Sequence, residues 1–91
     1  MKKIINRKVY NTETAELIGE YWNGCSIDDY NYKLEKLYVT KKGNMFLFRT
    51  TGAWLTKDII PLEPEEAYEW LERYDCNEAI EKYFADKIEE A

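Results

Sequence analysis

Eighteen carboxylates, two thiols and no histidine set the chemistry open to this 91-residue chain. Without His, the usual general base at neutral pH is missing, and so are Ser-His and Cys-His nucleophile pairs and most zinc sites. Cys25 and Cys76 form no C-x-x-C, and small secreted domains usually carry four to eight cysteines, so neither a metal clip nor a disulfide framework is indicated. Asp28-Asp29 sits in a loop-forming stretch without the ligand spacing of a calcium loop and reads as a turn-forming acidic pair. Glu35 and Asp58 fall in strand-like segments, where nothing marks them beyond ordinary strand charges. The glycine motifs of phosphate cradles and the G-x-S-x-G nucleophile elbow are absent. These residues point to a non-enzymatic protein with no cofactor and no metal.

Binding chemistry is better represented. Lys33, Lys36, Lys41, Lys42, Arg49 and Lys57 are interleaved with Tyr32, Tyr38, Phe46 and Phe48. On a sheet that mixture stacks single-stranded bases and pairs their phosphates. It describes better still a core face, since the aromatics alternate as a core face should and the lysines guard edges and turns. Trp22 precedes Asn23-Gly24 and Trp54 follows Gly52-Ala53, so both border loops and suit either an interface anchor or a loop plug. The net charge is −5, but it is divided unevenly. Residues 1–62 carry ten Lys/Arg against seven Asp/Glu, and residues 63–91 carry three against eleven. An acidic C-terminal third repels phosphate and attracts basic surfaces. On charge alone it reads first as a solvated helical face.

The elements that must hold these residues follow from pattern. Lys3–Ile5 and Lys8–Tyr10 flank Asn6-Arg7 as a hairpin, and Ala15–Asn23 reads as a strand because Gly19 and Tyr21-Trp22 oppose a helix. Asn23–Asn31 is a loop. Tyr32–Thr40 and Asn44–Thr50 form a hairpin about Lys41-Lys42-Gly43, with Phe46 and Phe48 on one face and Met45, Leu47 and Arg49 on the other. Apolar residues on both faces predict a central strand covered on both sides. Thr56–Leu62 is a further short strand. Pro64 opens a helix whose stripe is Ala67, Trp70, Leu71 and Tyr74, and Trp70 belongs to the core. Asp75 and Glu78 resemble a capping box for a second helix, with Cys76, Ile80, Tyr83, Phe84 and Ile88 inward and Glu78, Lys82 and Glu89 outward. The fold class is therefore α+β over residues 1–91: a small antiparallel sheet of four to five strands packed against two C-terminal helices. The start MKKIINRKVY is too polar for a signal peptide and no apolar run reaches about 20 residues, which predicts a cytoplasmic protein without a membrane partner.

The string KIINRKVYNTETAELIGEY at Lys3–Tyr21 resembles the opening of a family of small proteins from Firmicutes, their phages and conjugative elements. The likeness continues through Leu37-Tyr38, Lys42-Gly43-Asn44, Phe46-Leu47, Ile59–Leu62, Glu65–Ala67 and Trp70–Glu72. Some relatives act as anti-CRISPR proteins, so the resemblance implies a mobile-element accessory protein in a bacterial host cell. Thr50–Trp54 is shorter than the Gly-rich stretch expected there. The resulting expectation is an inhibitor that binds a basic nucleic-acid-handling surface of an RNA-guided CRISPR nuclease. Glu65, Glu69, Glu72, Glu78 and Glu89 would stand in for phosphates, and Trp54 or Trp22 would anchor the contact. The alternatives are a nucleic-acid-binding module using Lys41 and Lys42, or a structural homodimer subunit.

Overall fold

A computed structural model describes residues 1–91 as six strands followed by two helices and a short 3₁₀ turn. Strands β1 (Lys2–Ile5) and β2 (Lys8–Asn11) pair as a separate hairpin. Strands β3 (Glu16–Trp22), β4 (Lys33–Val39), β5 (Met45–Thr51) and β6 (Thr56–Leu62) form an antiparallel sheet in sequence order. Helices α1 (Pro64–Arg73) and α2 (Asn77–Tyr83) follow, then the turn Ala85–Lys87. The α+β class holds, with the strands divided into a sheet of four and a hairpin of two. No helix is long and apolar enough to cross a membrane.

Period-two alternation along β5 gives the molecule its layers. Leu47 and Met45 join Leu37 and Val39 under the helices, where Ala67, Trp70, Leu71, Ala79, Ile80 and Phe84 complete a core of ten buried residues. Phe46 points the other way and is fully buried against Tyr10 of β2 and Ile59 of β6. Tyr10 meets the Phe46 ring edge-on at 5.4 Å, and Tyr38 stacks on it at 5.3 Å. The central strand is thus covered on both sides, by helices on one face and by the β1–β2 hairpin on the other. The hairpin turn forms at Asn6-Arg7 without a glycine, both residues taking the left-handed backbone that its right-handed twist requires.

Gly19 decides how closely the helices approach β3. A Cβ there would lie 2.7 Å from Trp70 Cζ3 and 3.2 Å from Cys76 Sγ, so only glycine lets the α1–α2 corner seat on the strand. The strand is irregular at the same place, its register shifting between Leu17 and Gly19.

Two local expectations are corrected at the helix ends. Asp75 caps no helix. It adopts φ +54°, while its N–H reaches the Glu72 carbonyl and the Cys76 N–H reaches Leu71, closing α1 in a Schellman arrangement with Asp in the place usually held by Gly. The N-cap of α2 is Cys76, which makes no side-chain capping bond. Helix α2 ends at Tyr83, so Ile88 does not join the inner stripe and is exposed. Glu89 likewise lies beyond the helices. Seven residues are too few for the periodicity to carry to position 88.

Candidate functional site

The sheet register decides which predicted residues share a surface. Cross-strand partners point to the same face, so Glu20, Lys36, Phe48 and Ile59 form one row and Trp22, Leu34, Thr50 and Lys57 the next. Both rows face the hairpin side. Tyr21, Glu35, Arg49 and Asp58 form the intervening row, which faces the helices. The uneven charge along the sequence therefore becomes an uneven charge across a plate of 41 × 35 × 18 Å. The helices carry the acidic third on one side. The hairpin carries Lys2, Lys3, Arg7 and Lys8 on the other.

On the helical side, Glu65, Glu69 and Glu72 fall at spacings of four and three along α1 and share an exposed face. They are not equivalent. Glu65 accepts a hydrogen bond from Lys87 Nζ at 3.1 Å and Glu72 accepts one from the Tyr68 hydroxyl at 2.8 Å, whereas Glu69 makes neither a hydrogen bond nor an ion pair. The hydrogen bond to Glu72 raises the Tyr68 pKa above its ordinary value. Glu78 is exposed on α2 and also unpaired, and Glu89 lies in the tail. Glu66 is committed locally, accepting the Glu63 N–H at 2.9 Å to close the start of α1. A second polar group ties α2 to β3: the Tyr83 hydroxyl donates to Glu16, and Lys82 Nζ lies 3.5 Å from the same carboxylate. The Tyr83 bond, followed by the Lys82 charge, lowers the Glu16 pKa.

The two tryptophans singled out by sequence do not sit with these glutamates. Trp22 ends β3 on the hairpin side, 57% exposed, its indole N–H donating to the Cys25 carbonyl at 2.9 Å. Trp54 projects from the β5–β6 turn, 86% exposed. Both lie at the sheet end where β3 and β5 finish and β4 and β6 begin, and α1 starts at the opposite end, about 20 Å away along the seven residues of β6. Helix α1 then runs back, so Tyr74 at its end stacks on Tyr21 at 4.0 Å. The structure brings Glu65, Glu69 and Glu72 together and brings Trp22 and Trp54 to one end. It does not merge the two sets.

The loop between β3 and β4 is the most heavily bonded irregular segment. Asn23 Oδ1 accepts the N–H groups of Cys25 and Lys33 at 3.2 Å each, and its amide donates to the Asn31 carbonyl at 2.5 Å. Asp29 Oδ1 accepts the Asn31 N–H, and Asp28 accepts the Ser26 hydroxyl, so both aspartates are turn formers. The loop presents Ile27 and Tyr30, 59% and 82% exposed, beside Trp22. It is fastened to the β5–β6 turn, since the Gly52 N–H donates to the Tyr32 carbonyl at 2.9 Å.

Sequence reasoning passed over Glu35, which is 2% exposed between the sheet and α1. Its Oε2 lies 2.7 Å from both Nε and Nη2 of Arg49, and its Oε1 accepts the Trp70 indole N–H at 3.2 Å. Both carboxylate oxygens are engaged, Oε2 by Arg49 and Oε1 by Trp70. The triad ties α1 to the sheet. Only the i, i+14 pairing of opposite charges across a predicted hairpin hinted at it. Cys25 and Cys76 are both free thiols, and burial raises the pKa of Cys76. A groove of about 810 Å³ opens at the far end of the sheet, lined by Lys8, Tyr10, Lys41, Asn44, Glu63 and Tyr83 among others.

No family model, no curated protein and no solved structure matches this chain.

Proposed function

We propose that this protein is a non-enzymatic inhibitor that docks the acidic outer face of α1 on a basic, nucleic-acid-handling surface of a partner protein. The observation that carries the reading is the exposed line of Glu65, Glu69 and Glu72 on a helix whose opposite face is buried. Glutamates at four- and three-residue helical spacing have Cβ atoms about 5–6 Å apart, so they form a closely spaced line of negative charge. Glu78 on α2 extends the negative field, and Glu89 adds charge from the tail. Such a field raises the association rate and makes binding fall steeply with salt. Trp54, at the end of the plate, serves as an apolar anchor outside the charged patch. The resemblance in sequence directs the choice of partner to an RNA-guided CRISPR nuclease in a bacterial cytoplasm.

The test is target-DNA cleavage by a type II CRISPR nuclease with and without the purified protein, at low and high salt. Inhibition that weakens with salt and is lost in the Glu65→Lys/Glu69→Lys/Glu72→Lys variant supports the reading. Inhibition untouched by that triple reversal removes the helical face from the mechanism. Absence of inhibition across several such nucleases removes the partner class.

A further inference from the structure

We infer that the open half of the hairpin-side sheet face is a binding platform for single-stranded nucleic acid, with Trp22 and Phe48 stacking bases and Lys36 and Lys57 pairing phosphates. The β1–β2 hairpin covers only part of that face. Its Tyr10 is buried with Phe46 and Ile59, a cluster that Phe48 borders while staying partly exposed, and its Lys8 reaches Asn44 at 3.5 Å, toward the β4–β5 turn. The row Trp22, Leu34, Thr50 and Lys57 at the other end has no layer above it. Next to it, Lys36 and Phe48 are half-exposed.

The chemistry of the platform selects its occupant. Lys36 and Lys57 make no ion pair, although Glu20 stands directly across from Lys36. Their cations stand on the side of the plate that also carries Lys2, Lys3, Arg7 and Lys8, away from the acidic helices. Phe48 lies on the central strand β5 and Trp22 on the edge strand β3, one row apart and with β4 between them, so two aromatic rings and two cations lie on the same face of the sheet. A polyanion alone would need only the cations, and an apolar peptide only the rings. A single strand with splayed bases uses both. The Trp22 ring is held in place by its bond to the Cys25 carbonyl, and the loop that supplies this carbonyl is pinned by Asn23. The surface is thus pre-organised, which lowers the ordering cost of binding. Tyr30 and Trp54 stand at the adjoining end of the sheet, where a strand leaving the platform would pass. Duplex DNA would offer phosphates but keep its bases stacked within.

The platform lies on the face opposite the α1 glutamates, so the inference stands or falls separately from the docking proposal. The experiment is fluorescence anisotropy of the full chain with labelled oligo-dT and oligo-U of about 12 nucleotides and with the corresponding duplex. Binding to the single strands is expected, weakening between about 50 and 200 mM salt. Trp22→Ala is expected to weaken it at least about five-fold and Trp22→Phe to restore most of it, because a base stack is worth that much or more. Lys36→Gln/Lys57→Gln is expected to flatten the salt slope by about 1.4, two phosphates at about 0.7 each. Lys41→Gln/Lys42→Gln, more than a Debye length of about 10 Å away, leaves affinity within about two-fold. Trp22 is largely exposed, so its variants keep the fold, with circular dichroism as the control. Equal binding of duplex, equal binding of polyglutamate, indifference to Trp22→Ala, capture of an aromatic acidic peptide instead, or no binding at low salt would each overturn the proposal.

Discussion

The two faces of the sheet are made from the same strands and are built by different means. Under the helices, ten buried residues close a core around a glycine contact and a Glu35–Arg49–Trp70 triad whose carboxylate is buried, and the outer surface is acidic. Under the hairpin, three buried residues suffice, half the face stays open, and the exposed charges are mainly lysines. The helical cover follows directly in the chain from the sheet's last strand and buries a continuous stripe. The hairpin must fold back from the first residues and is held chiefly through one aromatic, Tyr10. The larger core lies under the helices, and the hairpin covers the other face only in part.

Three measurements sharpen or break that contrast. Tyr10→Ala removes the ring that seats the hairpin on Phe46 and is expected to cost about 3–4 kcal/mol, in the range for large aromatic truncations. Hydrogen exchange is then expected to lose protection in β1–β2 while α1 keeps its own. Equal loss in both layers would mean that the faces are not independent. Gly19→Ala forces a methyl to within 2.7 Å of the Trp70 ring and is expected to cost about 1–3 kcal/mol by denaturant melting, against a gain of a few tenths at an unconstrained glycine. An unchanged midpoint would show that the α1–α2 corner shifts easily and that the helical face is looser than its burial implies.

The smallest effect concerns the Glu16–Tyr83–Lys82 group at the exposed seam between β3 and α2. The folded pKa of Glu16 lies below its unfolded value, so its contribution is present above the ordinary carboxylate range and is lost as the pH falls through the folded pKa. The folded pKa of Tyr83 is raised by the Glu16 bond, so that contribution is present below the ordinary tyrosine value and is lost as the pH climbs through the raised one. Tyr83→Phe is expected to flatten both limbs of the thermal-midpoint profile slightly. Salt at about 1 M should blunt the acid limb, since the pair is exposed. An acid limb identical in the variant would assign the acid sensitivity to other carboxylates.

Much of the fold was legible in the chain. The β4–β5 hairpin forms about Gly43, which takes φ +88° as its turn requires, and Pro64 opens α1. Alternation along β5 correctly announced a strand covered on both sides, because side-chain period is fixed by the backbone itself. The misses have local causes. Asp75 and Glu78 match a capping pattern, but closing α1 claimed Asp75 first. The inner stripe was extended to Ile88 although α2 stops at Tyr83. Glu35 looked like a surface charge because burial depends on which helix lands above it. The candidate surfaces were half legible: the glutamate line on α1 follows from helical spacing, while the open rows around Trp22 and Lys36 need the register.

By itself the sequence determined the element types, the two-sided central strand, the acidic C-terminal third and the absence of histidine chemistry, since these depend on composition and on periods of two and 3.6 residues. Tertiary structure alone decided that the hairpin covers the face away from the helices, that Trp22 and the α1 glutamates point to opposite sides, and that Glu35 lies beneath Trp70. Those outcomes turn on contacts between residues far apart in the chain. Which face a cover chooses is set by the fit of Tyr10 to Phe46 and of Trp70 to Gly19, and no local pattern encodes that fit.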